Sequence, residues 1–307
     1  MGNVWQQVAS ELGERRPLVV ATVVADDGSV PRRSGAKMLI YGDGRTSGTV
    51  GGGIFEQLVV RDALAALRQR RSVTKGYSFN PRGTCKDAFG AVCGGRAEVF
   101  LEVVLPADRL LIVGGGHCGR ALAQAASLLD FSIVLADDRE DYARPDDYAF
   151  PNVESVLHLP PDFRGLPEPD AHTYVALVSK GFLTDDAALR RVIHSPAPYI
   201  GMIGSTKKRD TVFEKLRADG ISDELLARVH APVGLEIGSD TPAEIAVSIL
   251  AQIIQVRSQA RAAAAAPDGN GNGSVRGHGC ESSVQVSQGV VKEAHHVEKV
   301  GTGSESQ

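Results

Sequence analysis

The chain has 307 residues, 43% of them hydrophobic and 23% charged, which is ordinary for a globular protein and long enough for two cores. Thirty-three Lys and Arg face 37 Asp and Glu, a formal charge of −4, so no general attraction to nucleic acid or anionic lipid is expected. No apolar run approaches the ~20 residues of a membrane helix.

The first residues lack the basic-then-apolar pattern of a secretory leader. The four cysteines, Cys85, Cys93, Cys118 and Cys280, are too scattered for paired zinc ligands, and a chain of this length does not depend on disulfides. The expectation is a cytoplasmic protein that binds neither nucleic acid nor membrane.

Along the chain, Val4 to Leu12 has helical spacing. Pro17 to Val24 is a β-branched apolar run that stops at Asp26-Asp27-Gly28, hence a strand and a turn. Ala36 to Tyr41 is a second strand. Gly51, Gly52 and Gly53 precede Ile54, Leu58, Val59, Leu64 and Leu67, an amphipathic helix. Ala97 to Val104 alternates like a half-buried strand. Pro106 and Asp108 mark a boundary, after which the rhythm becomes strand, helix, strand, helix: strands at Leu110–Val113, Ser132–Ala136, Thr173–Val178 and Tyr199–Ile203, helices at Arg120–Leu129, Asp185–Ile193 and Lys208–Ala218. Such alternation predicts a parallel sheet covered on both faces. Thr241-Pro242-Ala243-Glu244 is a capping box that opens a last helix.

The predicted fold class is therefore α/β, with a small N-terminal α/β domain (1–105), then a Rossmann-like doubly wound parallel-sheet domain (106–260). A disordered C-terminal tail (261–307), rich in Ala, Gly, Asn, Ser and Gln, completes the chain. The tail residues His278, Cys280, His295 and His296 read as solvated rather than as metal ligands.

Three loops carry chemistry. Gly114-Gly115-Gly116-His117-Cys118-Gly119 matches G-x-G-x-x-G between a strand and a helix, and Asp137 closes the next strand about 20 residues on. Gly114, Gly116 and Gly119 are expected to let a phosphate approach the helix N-terminus, and Asp137 to accept from a ribose 2′-OH. The ligand would be NAD(P) or another adenine nucleotide, NAD being favoured by the acid; the alternatives are an NAD(P)-dependent oxidoreductase and a scaffold that binds nothing. His117 and His230 are the histidines nearest such a crevice, and Cys118 reads as a buried apolar residue.

In the N-terminal half, Gly28 to Lys37 (GSVPRRSGAK) places Arg32, Arg33 and Lys37 in one stretch, and Gly51, Gly52 and Gly53 feed a helix. Cations and glycine amides together suit an anion; a solvated turn and a tight corner are the plain alternatives. Glu56 in the first helical turn either complements the dipole or acts as a proton acceptor. The third loop, Cys93-Gly94-Gly95, exposes a thiol by its glycines or buries it as most cysteines are buried. Cys85 lies beside Arg82 and Lys86.

Taken together, these blocks resemble the xanthine dehydrogenase accessory factor (XdhC/CoxI) family over residues 1 to about 260. The carriers are Gly28–Met38, Gly48–Gly53 with Glu56, Cys93–Gly95, Gly114–Gly119, Asp138-Arg139, Ile203–Ser205 with Lys207–Arg209, and His230–Gly238 before Thr241–Ala246. The resemblance implies a small XdhC/CoxI-type N-terminal domain that binds cofactor, followed by a Rossmann domain. It also implies a non-catalytic chaperone that holds the molybdenum cofactor (molybdopterin), protects it during sulfuration and delivers it to an apo xanthine dehydrogenase or related molybdenum hydroxylase. A cysteine desulfurase would be a second partner, and a homodimer is left open. Cys93 is the candidate for contact with the metal, and Cys93 and Glu56 are the candidates for any catalytic part. Many relatives carry cysteine directly after the glycine triplet; here that residue is Ile54, so a thiol role falls to Cys93, Cys85, Cys118 or none.

Overall fold

A computed structural model describes residues 3–79, 88–89 and 95–265. The expected disordered tail lies outside them except at its start: the last helix continues to Ala265, past the expected boundary at 261, because an alanine run has the highest helix propensity. Cys85, Cys93, Gly94 and Cys280 also lie outside the described residues.

The described chain contains two six-stranded sheets. The first is built from β1 (Leu18–Gly28), β2 (Lys37–Tyr41), β3 (Thr46–Gly48), β4 (Val73–Phe79), β5 (Ala88–Phe89) and β6 (Gly95–Val104), in the order β3-β2-β1-β6-β4-β5. Its ladders are antiparallel except β4 with β5. Strand alternation sends Val19, Ala21, Val23, Met38, Ile40, Val99 and Leu101 to one face, where α2 (Gly53–Arg68) packs through Phe55, Val59 and Ala63. Leu18, Val20 and Leu39 face the other way, onto α1 (Val4–Gly13) and its Val8.

The second sheet comprises β7 (Arg109–Val113), β8 (Ser132–Asp137), β9 (Val153–His158), β10 (Thr173–Leu177), β11 (Tyr199–Met202) and β12 (Val229–His230). All its ladders are parallel, in the order β12-β11-β10-β7-β8-β9. This is the doubly wound Rossmann order, with its reversal between β7 and β10. Its strands are apolar on both sides, as a sheet buried between helices requires. Leu111, Val113, Val175 and Leu177 pack with α4 (Phe182–Val192), α5 (Thr206–Ala218) and the short α6 (Asp223–Leu226). Leu110, Ile112, Tyr174 and Ala176 pack with α3 (His117–Ala126) and α7 (Pro242–Ala265). The capping box forms: the Glu244 carboxylate accepts from the amides of Asp240 and Thr241 at 2.9 and 2.8 Å, and the Glu244 amide donates to Thr241 Oγ1.

Arg15 and Arg70 connect the two sheets. Each follows the C-terminus of a helix in the left-handed conformation, φ 57° and 50°, a place usually given to glycine. Arg15 donates to the Asp170 carboxylate at 2.7 Å and to the Ala107 carbonyl. Arg70 reaches Asp108 at 3.5 Å and His172 Nδ1 at 3.0 Å. None of the helices among the described residues is long and apolar enough to cross a membrane.

Candidate functional site

The loop between β1 and β2 is folded by Asp26. Its carboxylate accepts from the Ser34 amide and from Arg33 Nη1, both at 2.8 Å, and the Arg33 side chain, then the Ser34 amide, hold its pKa below the usual carboxylate value. Sequence reading assigns Asp26 only to a turn. Arg33 is thereby committed to an ion pair inside the loop, while Arg32 is exposed and forms no salt bridge with a described residue.

The glycine triplet meets this loop at one point. Gly51 has φ +147°, and a Cβ there would lie 2.5 Å from the Pro31 Cβ. Only a residue without a side chain lets Pro31 seat itself on the triplet, which brings Arg32, the next residue, to the N-terminus of α2. Gly95 joins them from β6: it pairs with Gly28, and a Cβ on it would intrude on the Ser29 and Asp27 carbonyls. The β1–β2 loop, Gly51 and Gly95 are thus neighbours; Cys93 and Gly94 lie outside the described residues, and two of the other predicted residues depart from expectation.

The first exception is Lys37. It is the first residue of β2, and its Nζ donates to Thr22 Oγ1 at 2.8 Å and lies 5.8 Å from the Trp5 ring centre. It therefore faces α1, on the side of the sheet opposite Met38, Ile40 and α2, and is not part of the anion cluster. The second is Gly51 as an anion donor. Glu56 turns its carboxylate back on the loop and accepts from Thr49 Oγ1, from the Val50 amide at 3.1 Å and from the Gly51 amide at 3.2 Å. Burial raises the Glu56 pKa, but the hydrogen bonds from Thr49, Gly52, Gly51 and Val50 outweigh it and leave it lowered. Glu56 is thus an ionised internal anchor in this conformation. The end of α2 stays open to approach: the N-cap Gly52 offers no side-chain hydrogen bond, its amide being turned to Glu56, and a Cβ on Gly52 or Gly53 would meet nothing within 4 Å.

In the second sheet the glycine fingerprint folds as its spacing predicts. Gly114, φ +113°, would place a Cβ 2.7 Å from the Ser179 amide, so the loops after β7 and β10 touch there; Gly119 lies so close to the Gly114 carbonyl that no side chain fits; Gly116 is open. Asp137 departs from expectation. It is 1% exposed, and its oxygens accept from the Gly115 amide at 2.7 Å and from the Arg139 amide, Nε and Nη2, each at 2.9 Å. Burial raises its pKa, yet the Arg139 side chain and the two amides lower it overall. No oxygen faces outward for a ribose. Two short 3-10 turns, Glu140–Tyr142 and Pro145–Tyr148, fold back over the loop. Tyr148 donates to the Gly115 and Tyr142 carbonyls, and its hydroxyl pKa is raised to about 12 by burial first and the Asp137 charge second. A cleft of about 190 Å³ remains between Gly115, Gly116, His117 and Arg120 and these tyrosines. No spacing rule in the sequence foretells this cover.

Cys118 is half-buried and packs with the core on the α3 side, and burial pushes its thiol upward, the environment of an inert cysteine. His230 stacks on Tyr199 with centroids 4.8 Å apart, and burial lowers its pKa. Among the described residues no group of three or more His, Cys, Asp and Glu side chains is placed to hold a metal.

Two family models agree with this architecture. The family model described as "XdhC and CoxI family" matches residues 12–78, and the model described as "XdhC Rossmann domain" matches 110–253. The chain is 36% identical over 263 residues to the Escherichia coli (strain K12) protein called uncharacterized protein YqeB, which covers 84% of this chain and 47% of that one. The chain thus spans about half the length of that relative. It is 22% identical over 339 aligned positions to a Bacillus subtilis (strain 168) protein named as a probable xanthine dehydrogenase subunit, covering 84% and 99% of the two chains. The solved structure of a xanthine dehydrogenase from Bacillus halodurans aligns with a TM-score of 0.45 and 21% identity, over 83% of this chain and 95% of that one. With both halves matched in order, the chain belongs to the XdhC and CoxI family.

Proposed function

We propose that the chain is an accessory factor for a xanthine dehydrogenase-type molybdenum enzyme, and that it binds the pterin of the molybdenum cofactor at the meeting point of the β1–β2 loop and the N-terminus of α2. The observation that carries this reading is the seat of Pro31 on Gly51, which sets Arg32, the next residue, close to the N-terminus of the 16-residue α2. An arginine fork, the helix N-terminus and its dipole suit a phosphate. Those residues fit the phosphate end of such a cofactor. When bound, the cofactor would supply the molybdenum chemistry, and the chain's part is to hold it. Cys93, which with Gly94 precedes Gly95 in the sequence, is the residue proposed for contact with the metal.

Protection of the cofactor during sulfuration, delivery to an apo xanthine dehydrogenase or related hydroxylase, and work beside a cysteine desulfurase belong to the same proposal. The link to a xanthine dehydrogenase-type enzyme is supported by the family and by the name of the B. subtilis relative; sulfuration, delivery and the desulfurase are what the family resemblance implies. An NAD(P)-dependent oxidoreductase has less support, because the acid that would take the ribose is engaged within the chain.

The test is the pterin content of the full chain purified from a host that makes the cofactor, read as fluorescent oxidised pterin. Near-stoichiometric pterin that is lost in Arg32→Ala and kept in Arg217→Ala is the expected result. Equal content in both variants, or none above an unrelated protein, would overturn the site.

A further inference from the structure

The glycine fingerprint draws attention to the α3 side of the second sheet, but the larger crevice lies on the other side of that loop. A cavity of about 250 Å³ opens at the C-terminal edge of the sheet, lined by Asp138, Arg139, Ser179, Lys180, Gly181 and Thr184. Asp138 and Arg139 follow β8 and the others follow β10, so the cavity sits above β7, beside the reversal of strand order. Ligands of open parallel sheets bind at such a point.

Most of the charge around the cavity is already matched. Arg139 is bound to Asp137 through two nitrogens. Behind Ser179, the fully buried Asp185 accepts from the Ser179 hydroxyl and from Lys208. Gly204 permits that reach, since a Cβ on it would lie 2.6 Å from Lys208 Cδ. Two charges are left over. Asp138 has a single ion-pair contact among the described residues, 3.9 Å from Arg139 Nε, and Lys180 is exposed with none. The cavity therefore offers one carboxylate acceptor, one ammonium donor and the Thr184 hydroxyl around a single space of about 250 Å³.

A dinucleotide does not suit this site. Its second half would have to cross Gly115, whose amide already donates to Asp137 and whose carbonyl takes the Tyr148 hydroxyl, with the Tyr142 carbonyl seated against it. We infer that the cavity between the loops after β8 and β10 binds the ribose 5-phosphate unit of a mononucleotide, the diol donating to Asp138 and the phosphate pairing with Lys180. A carboxylate accepting from the ribose 2′-hydroxyl is the usual recognition of ribose in this fold. Here it falls to the residue after the one the fingerprint designates. This site is independent of the pterin reading, which concerns the other sheet.

The test is calorimetric titration of the full chain with AMP, GMP, CMP and UMP, then with the 2′-deoxy form of the best binder, its nucleoside and NAD. One ribonucleotide should bind with 1:1 stoichiometry. Loss of the 2′-hydroxyl or of the phosphate should weaken it by about tenfold, the scale of one hydrogen bond to a charged group. Lys180→Ala and Asp138→Asn should each weaken it similarly while leaving the thermal midpoint in place, because both side chains are at the surface of the cavity. Arg32→Ala should change nothing here. Absence of binding by all four nucleotides would overturn the assignment, as would binding indifferent to both substitutions or NAD binding tighter than the mononucleotide.

Discussion

The Gly115 amide donates to the Asp137 carboxylate at 2.7 Å, so the acid that closes β8 and the glycine loop that follows β7 are partners of one another before any ligand arrives. Arg139 locks the arrangement from outside with two further bonds to the same carboxylate. Removing one member of a buried pair leaves the other uncompensated. Because the Arg139 side chain is 42% exposed, its loss is partly solvated, and Asp137→Ala should destabilise the chain by about 2 kcal/mol. Chemical denaturation reads this directly. A change below about 0.5 kcal/mol would mean the pair contributes little. The sign with pH follows from the lowered Asp137 pKa: its contribution is present above the ordinary aspartate value of ~3.9 and is lost as pH falls toward the folded-state value.

Gly119 and Gly116 should respond oppositely to the same change. A Cβ on Gly119 would fall on the Gly114 carbonyl, whereas one on Gly116, at φ −68°, would meet nothing within 4 Å. Gly119→Ala should lower stability by about 3 kcal/mol or prevent folding, since backbone must move. Gly116→Ala should stay within about 0.5 kcal/mol of the parent. Thermal midpoints of the two variants decide it; equal midpoints would contradict the packing.

The interlock of the two sheets should have an acid-sensitive component. Asp170 has a pKa lowered to about 2: burial raises it, and the side-chain bonds from Arg15 and Thr173 and the His172 amide more than offset that. A depressed folded-state value means that its stabilisation is complete above pH ~4 and disappears as pH falls to ~2. Asp170 is 35% exposed, so screening reduces the effect to about 1 kcal/mol. Arg15→Ala should lose that amount at pH 7 and show a shallower decline of stability between pH 4 and 2. An unchanged acid limb would assign the interlock to Arg70 and Asp108 instead.

The glycine spacing, the strand-helix alternation and the capping box were legible because each is a local pattern with one geometric solution. Lys37 shows the limit: it shares a stretch with Arg32 and Arg33, but strand alternation carries it to the α1 face, and parity is not set until the start of β2 is known. The edge strand β9 (Val153–His158) is half-exposed and β4 carries Lys75 and Gly76 at its centre, so neither offers a clear apolar rhythm. Asp137 stands at the predicted end of β8, but its engagement depends on Arg139 and on Tyr148, eleven residues on, folding back over Gly115. Spacing gives a residue's address and not the direction of its side chain.

Glu56 provides the sharpest test of the anion site. Its ionised carboxylate organises the glycine loop through Thr49, Val50 and Gly51, yet that places it next to the helix end proposed to take a phosphate. A like charge at such a distance opposes binding by about 1 kcal/mol in partly screened surroundings. Glu56→Gln keeps one acceptor oxygen for the loop and removes the charge. Stability should fall by about 1 kcal/mol from the weaker hydrogen bonds. Affinity for inorganic phosphate, measured by titration at low salt, should rise by a few-fold, and Arg32→Ala in the same background should abolish the gain. If phosphate binding falls with stability, the carboxylate serves the ligand and not only the loop, and the free end of α2 is not where the anion sits.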